Sequence, residues 1–96
     1  MTYAKRVDLN HQEVVKTLRS LGATVFDASG IGRGFPDLVV GFKQQTILVE
    51  IKSSEQKKFT QAQLKFMADW KGSAVVRIND VDGAIRLINL LRGDNV

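Results

Sequence analysis

Gly34-Phe35-Pro36-Asp37 is followed, thirteen residues after its aspartate, by Glu50-Ile51-Lys52. Two carboxylates and a lysine therefore sit in segments that otherwise read as apolar strands, Leu38-Val39-Val40 and Ile47-Leu48-Val49. Side chains alternate along a strand, so Asp37 and Val39 share one face, as do Leu48, Glu50 and Lys52. A symmetric even loop centred between Lys43 and Gln44 pairs Phe42 with Gln45, and hence Asp37 with Glu50; an odd loop spoils that opposition. Directly opposed side chains have Cβ atoms roughly 5 Å apart, where like charges repel. A divalent cation between them resolves the conflict, and Lys52 is a second source of positive charge. Such a set suits phosphodiester hydrolysis with magnesium or manganese. The Ile51 carbonyl is a further candidate oxygen ligand. Lys52 is the candidate to orient or deprotonate water, or to neutralise charge on the phosphate. The glycine-rich loop before Asp37, with Arg33, offers a place where a nucleic-acid backbone could approach closely.

Each feature has a plainer explanation. Asp37 after Pro36 fits a turn residue opening a strand. Glu50 and Lys52 fit a solvated strand edge, against which stand the apolar neighbours Leu48, Val49 and Ile51. An Asp37–Lys52 salt bridge would leave Glu50 unexplained, and buried pairs stabilise weakly.

The elements that must position these residues follow from periodicity. Val14, Val15, Leu18 and Leu21 predict a helix over 8–21, with Asn10 as N-cap and Gly22 as its stop. Strands are predicted over 23–28, 36–42, 46–52 and 73–78. Thr60 caps a second helix running to about Trp70, with Leu64, Met67 and Ala68 inward and Gly72 closing it. Asn79 or Asp80 caps a third, with Val81, Ala84, Ile85, Ile88 and Leu91 as its stripe. The tail after Gly93 is expected to fray. The order is α-β-β-β-α-β-α: an α/β (in stricter terms α+β) domain spanning 1–96, with a four-stranded mixed sheet flanked by helices.

Composition narrows the chemistry. The chain has 96 residues, of which 44% are hydrophobic, enough for one domain with one core. It has no cysteine and a single histidine, His11, which removes disulfides, thiolate metal sites and histidine-rich zinc sites and leaves oxygen ligands. His11 itself reads as a surface residue, and Phe59, Phe66 and Trp70 as packing. The net charge of +4 favours a polyanionic partner without identifying one. Lys52, Lys57, Lys58, Lys65 and Lys71 face only Glu55 and Asp69 in their segment, which is either a backbone-binding face or a solvated surface. Neither a secretory signal nor an apolar run of membrane-spanning length is present, so the expected location is cytoplasmic.

The segment Pro36-Asp37, a hairpin, then Glu50-Ile51-Lys52 resembles the PD-(D/E)XK nuclease motif. Gly34-Phe35-Pro36-Asp37-Leu38, Val49-Glu50-Ile51-Lys52-Ser53 and Gln61-Ala62-Gln63 resemble its VRR-NUC (virus-type replication-repair nuclease) branch, including the compact stand-alone phage and bacterial type. The Holliday-junction resolvases are a similar group. The resemblance covers nearly the whole chain. It implies a restriction-endonuclease-like core and a Mg2+- or Mn2+-dependent endonuclease of DNA replication, repair or recombination. It implies branched DNA such as a four-way junction or flap as substrate, and no small-molecule cofactor; a two-fold-symmetric junction would in turn be served best by a homodimer, which would also cover apolar surface that so small a monomer leaves exposed. Asp37 and Glu50 would bind metal, Lys52 would be catalytic, Glu13 would match an auxiliary acidic position, and Gln63 a helical glutamine. Independently of the resemblance, loop composition and charge make Arg33, Lys57, Lys58 and Lys65 the candidate DNA contacts. Val76-Arg77 resembles a family pair, although Ile78 follows where a small polar residue is usual. Glu13 and Gln63 each have a capping explanation as well, through Asn10 and Thr60. The rival readings are a non-catalytic nucleic-acid-binding module on this fold, and a flap nuclease or exonuclease of the same superfamily.

Overall fold

The computed structural model describes residues 2–54 and 56–93, with side chains from residue 10 onward. Its elements are α1 (Thr2–Ser20), β1 (Thr24–Asp27), β2 (Leu38–Phe42), β3 (Gln45–Ile51), α2 (Gln61–Asp69), β4 (Val76–Ile78) and α3 (Val81–Arg92). The expected order α-β-β-β-α-β-α is therefore found. The four strands form one mixed sheet in the order β1-β2-β3-β4. The first three run antiparallel, and β4 lies parallel to β3 after the α2 crossover. A parallel neighbour requires such a crossover, because a tight turn only reverses the chain.

One sheet face carries Val25, Leu38, Val40, Val49 and Ile78, which pack with Val14 and Leu18 of α1 and Ala84, Leu87 and Ile88 of α3 into the core. Gly22, at φ 103, ends the α1 region as expected. Asp80 caps α3 by accepting from the Gly83 amide at 2.9 Å. The opposite face is covered only in part. Across it runs the row Phe26–Val39–Leu48, set by the strand register. Leu48 is buried, Val39 half-buried and Phe26 64% exposed.

Four local expectations need correction. Asn10 is not an N-cap; α1 begins eight residues earlier and places it mid-helix. Leu64 and Ala68 are exposed, and Gln63, Phe66 and Met67 form the more covered side of α2. Ile85 is exposed in α3, and Leu87 takes the buried place in its stripe. Gly72 does not close α2, which stops at Trp70 in an extended conformation. Gly72 instead lies beneath the Trp70 indole, where a Cβ would sit 2.7 Å from Nε1. The tail beyond Gly93 lies outside the described residues.

The hairpin has the predicted even register, with Phe42 opposite Gln45 and Leu38 opposite Val49. Its two-residue turn puts Lys43 at φ 49 and Gln44 at φ 67. Both values belong to a type I′ turn, which Asn-Gly adopts with far less strain. The double change Lys43→Asn, Gln44→Gly is expected to raise stability by about 1 kcal/mol, read as a higher urea midpoint at unchanged slope. An unchanged or lower midpoint would show that the turn carries no such strain.

Candidate active site

Asp37 stands just before β2, opposite Glu50 where the hairpin ladder runs out. Its carboxylate accepts the Ile51 amide at 2.9 Å through Oδ2. That bond ties Asp37 to β3 and fixes its side chain toward Glu50. A strand residue's N–H and C=O point to the same side, so the Ile51 carbonyl also faces the Asp37 edge. The Lys52 amide points the other way and bonds the Ile78 carbonyl at 3.0 Å.

Glu50 is only 5% exposed. Burial pushes its carboxyl up from 4.5 to about 7, the neighbouring Asp37 charge pushes the same way, and Lys52 partly opposes both. The conflict anticipated from the register is thus present: two facing carboxyls, one of them buried. Lys52 sits with its Nζ 3.8 Å from Glu50 Oε2 and 2.8 Å from Gln63 Oε1.

Gln63 caps α2 and also contacts Lys52 and Glu50, so the capping explanation and a place in the cluster do not exclude each other. Its Oε1 accepts the Thr60 amide at 2.9 Å while its own amide bonds Thr60 Oγ1 at 3.1 Å, a complete capping box. The same Oε1 takes the Lys52 ammonium, and Nε2 donates to Glu50 Oε2 at 2.7 Å. One side chain therefore starts α2 and holds two members of the cluster.

These groups open into a cleft of about 230 Å³ lined by Asp37, Glu50, Ile51 and Lys52, with Asn10, His11, Ser53 and Lys57 around them. Asn10 donates to the Asn79 carbonyl at 3.5 Å, joining α1 to the end of β4. His11 meets Asp27 Oδ2 at 3.1 Å. Hydrogen bonds from the Ser29 side chain and backbone hold Asp27 below its ordinary value, with the His11 ring adding to the effect. Sequence reasoning missed Asn10 and His11 as cleft residues. Their placement depends on how α1 crosses the sheet, which no local spacing reveals.

Other expected members lie elsewhere. Glu13 is exposed on α1 and does not line the cleft, and its supposed capping partner Asn10 is mid-helix. Lys65 pairs with Asp69 one helical turn on, at 3.0 Å, and is 80% exposed. Arg33 is exposed at φ 59 in the loop. Gly34 was expected to admit a nucleic-acid backbone; it instead admits α2, since a Cβ there would collide with the Ala62 backbone. Arg77 has a structural task. Its Nη2 donates to the Ser54 and Lys57 carbonyls, both at 2.6 Å, and its Nε to Asn79 Oδ1 at 3.1 Å. It thereby clamps the connector that carries Ser53 and Lys57 to the cleft.

Among the described residues no group of three or more His, Cys, Asp or Glu converges. Two carboxylates plus one backbone carbonyl nevertheless suit a magnesium-type ion, which retains several waters and needs few protein ligands. The facing carboxyls fit that role on their own electrostatics, because a cation offsets the burial and the Asp37 charge that together raise Glu50.

The Glu50 titration has a measurable sign. Its pKa is raised on folding, so its contribution to stability is greatest below about 4.5 and is lost as pH rises through about 7. In chelator, Glu50→Gln should therefore gain on the wild type by about 3 kcal/mol between pH 4 and pH 8, in order of magnitude. Parallel urea-stability curves for the two proteins across that range would contradict the assignment. No family model, curated protein or solved structure matches this chain.

Proposed function

We propose that this chain is a divalent-cation-dependent nuclease that hydrolyses DNA phosphodiesters, with a PD-(D/E)XK-type centre at Asp37, Glu50 and Lys52. The observation that carries this reading is the buried Glu50 carboxyl facing Asp37, with Lys52 held beside it by Gln63. A fold gains nothing in stability from assembling these groups, since desolvated like charges oppose it. The bound cation would neutralise charge on the phosphate and activate the attacking water. Asp37 and Glu50 would hold it, with the Ile51 carbonyl on the same side. Lys52, kept in place by Gln63, would meet the phosphate or the water's proton.

Branched DNA as the substrate rests on the resemblance, and a symmetric dimer as the working unit follows from the symmetry of such a substrate. A dimer suits a two-fold-symmetric junction because it presents two identical centres to two strands. Sedimentation with and without a four-way junction tests that part, and a monomer in both samples would remove it.

The activity is tested with labelled four-way junction, flap, single-stranded and plain duplex DNA, in magnesium, manganese or chelator. Metal-dependent cutting of at least one substrate, abolished in Lys52→Ala, is the expected result. No cutting of any substrate in either metal would defeat the enzyme reading.

A further inference from the structure

A second concavity adjoins the cleft. It is an open groove of about 690 Å³ formed by Gln56, Lys57, Lys58, Phe59, Leu64 and Arg77. Lys57 belongs to both the groove and the cleft, so the two surfaces are continuous. The Phe59 ring stands between them, with the Lys52 ammonium 5.5 Å from its centroid and the Arg77 guanidinium 5.3 Å from it. Leu64 is 49% exposed, on a helix with no fully buried residue. Lys57 and Lys58 are exposed at the rim, and no acidic side chain lines the groove among the described residues.

We infer that this groove binds a single-stranded segment of the nucleic-acid substrate, so that the enzyme takes DNA with an unpaired tail next to the bond it cuts. The inference rests on the nuclease reading for its link to cleavage, but not for the binding itself. Duplex DNA presents phosphates and keeps its base faces stacked away from protein. A cationic rim over an apolar Phe59–Leu64 floor matches a strand that offers both phosphates and unstacked bases. Lys57 and Lys58 would take the backbone. Exposed Leu64 and the Lys57 stem would take the base, with only the edge of Phe59 beneath it, because the ring already meets Lys52 and Arg77 and the Arg77 guanidinium is committed to the connector carbonyls. The strand would then run past Lys57 toward Asp37 and Glu50.

The test is fluorescence anisotropy in chelator, where cleavage plays no part, with labelled eight-nucleotide oligothymidylate and a blunt eight-base-pair duplex as probes. The single strand should bind more tightly than the duplex. Leu64→Glu and Lys58→Glu should each weaken single-strand binding by ~10-fold. Lys16→Glu makes the same change in net charge as Lys58→Glu, but on α1, and should alter binding by less than ~3-fold. Thermal melts of all variants confirm folding, which exposed positions should preserve. Equal binding of single strand and duplex, no binding of the single strand, or equal loss in Lys16→Glu and Lys58→Glu would each overturn the inference. In a parallel cleavage assay, Leu64→Glu should erase a wild-type preference for tailed over blunt substrates. An inactive wild type that still binds the single strand in this pattern would sink the nuclease reading and leave the groove standing.

Discussion

Asp37→Asn is expected to yield a protein that is more stable than wild type at pH 8 in chelator and cuts DNA at least ~10³-fold more slowly. The two effects have one cause. Asparagine retains an oxygen that can accept the Ile51 amide, so the bond that ties residue 37 to β3 survives. It removes the negative charge that helps raise Glu50 to about 7. Glu50 then ionises at lower cost, and the metal-free fold gains. Catalysis loses, because one of two carboxylates that would hold the cation is gone. A 10³-fold loss corresponds to ~4 kcal/mol of transition-state stabilisation, ordinary for removal of a charged group at a reacting phosphate. Magnesium gives an independent readout. It should raise the melting temperature of wild type, more at pH 8 than at pH 6, because Glu50 must be deprotonated to bind it. It should leave Asp37→Asn nearly unmoved. Asp37→Ala separates the roles further. It removes the same charge but leaves the Ile51 amide without its acceptor, and so should be less stable than Asp37→Asn by ~1–3 kcal/mol. An Asp37→Asn protein that cuts at the wild-type rate would place the metal elsewhere.

The opposition of Asp37 and Glu50 was legible because two independent signals agree on it. Apolar alternation in 38–42 and 45–51 fixes which side chains share a face, and a two-residue turn leaves one register compatible with both strands. The burial of Glu50 was legible from the apolar Leu48 on its own face, since Val49 and Ile51 point to the opposite, core side. Gln63 shows what such reasoning loses. Thr60-Gln61-Ala62-Gln63 spells a capping box, and a cap seemed to compete with a site role. A glutamine has one carbonyl with two lone pairs and two amide protons, so one side chain meets both demands when α2 starts beside Lys52.

The helix faces were harder to read. α2 has apolar residues at 62, 64, 66, 67 and 68, with Trp70 at its C-cap, nearly all round, so its stripe is undefined without its neighbours. The sequence pattern favours Leu64 and Ala68. The structure turns Phe66 inward, where it meets Phe35 edge-on and stacks on Trp70, both at 5.3 Å between ring centres. In α3, Ile85 and Leu87 straddle the edge of the stripe, and the packing of α1 against α3 decides for Leu87. Asn10 failed as a cap because residues 2–9 carry helix without a clear apolar period, so the pattern begins later than the helix.

Gly34→Ala is expected to cost about 3 kcal/mol and to separate α2 from the cluster it completes. Gly34 lies at φ 81, where any Cβ carries ~1–2 kcal/mol of backbone strain. Its Cβ would also enter the Ala62 carbonyl and stand 2.9 Å from the Gln63 amide. Those atoms are backbone in the first turn of α2, so no side chain can swing aside. The helix itself is the part free to move, because none of its residues is fully buried. The first consequence is therefore local. α2 is displaced at its N-terminus, the Thr60–Gln63 box opens, and Gln63 withdraws from Lys52 and Glu50. Cleavage should fall by at least ~10-fold at temperatures where circular dichroism still reports a folded domain. Amide exchange should accelerate in 61–69 before it does in β2 and β3. Gly30→Ala is the matched control, since its φ is not positive and nothing lies within 4 Å of the added carbon. It should change neither stability nor rate appreciably. Equal behaviour of the two variants would mean that the close packing of Gly34 beneath α2 does not position the site.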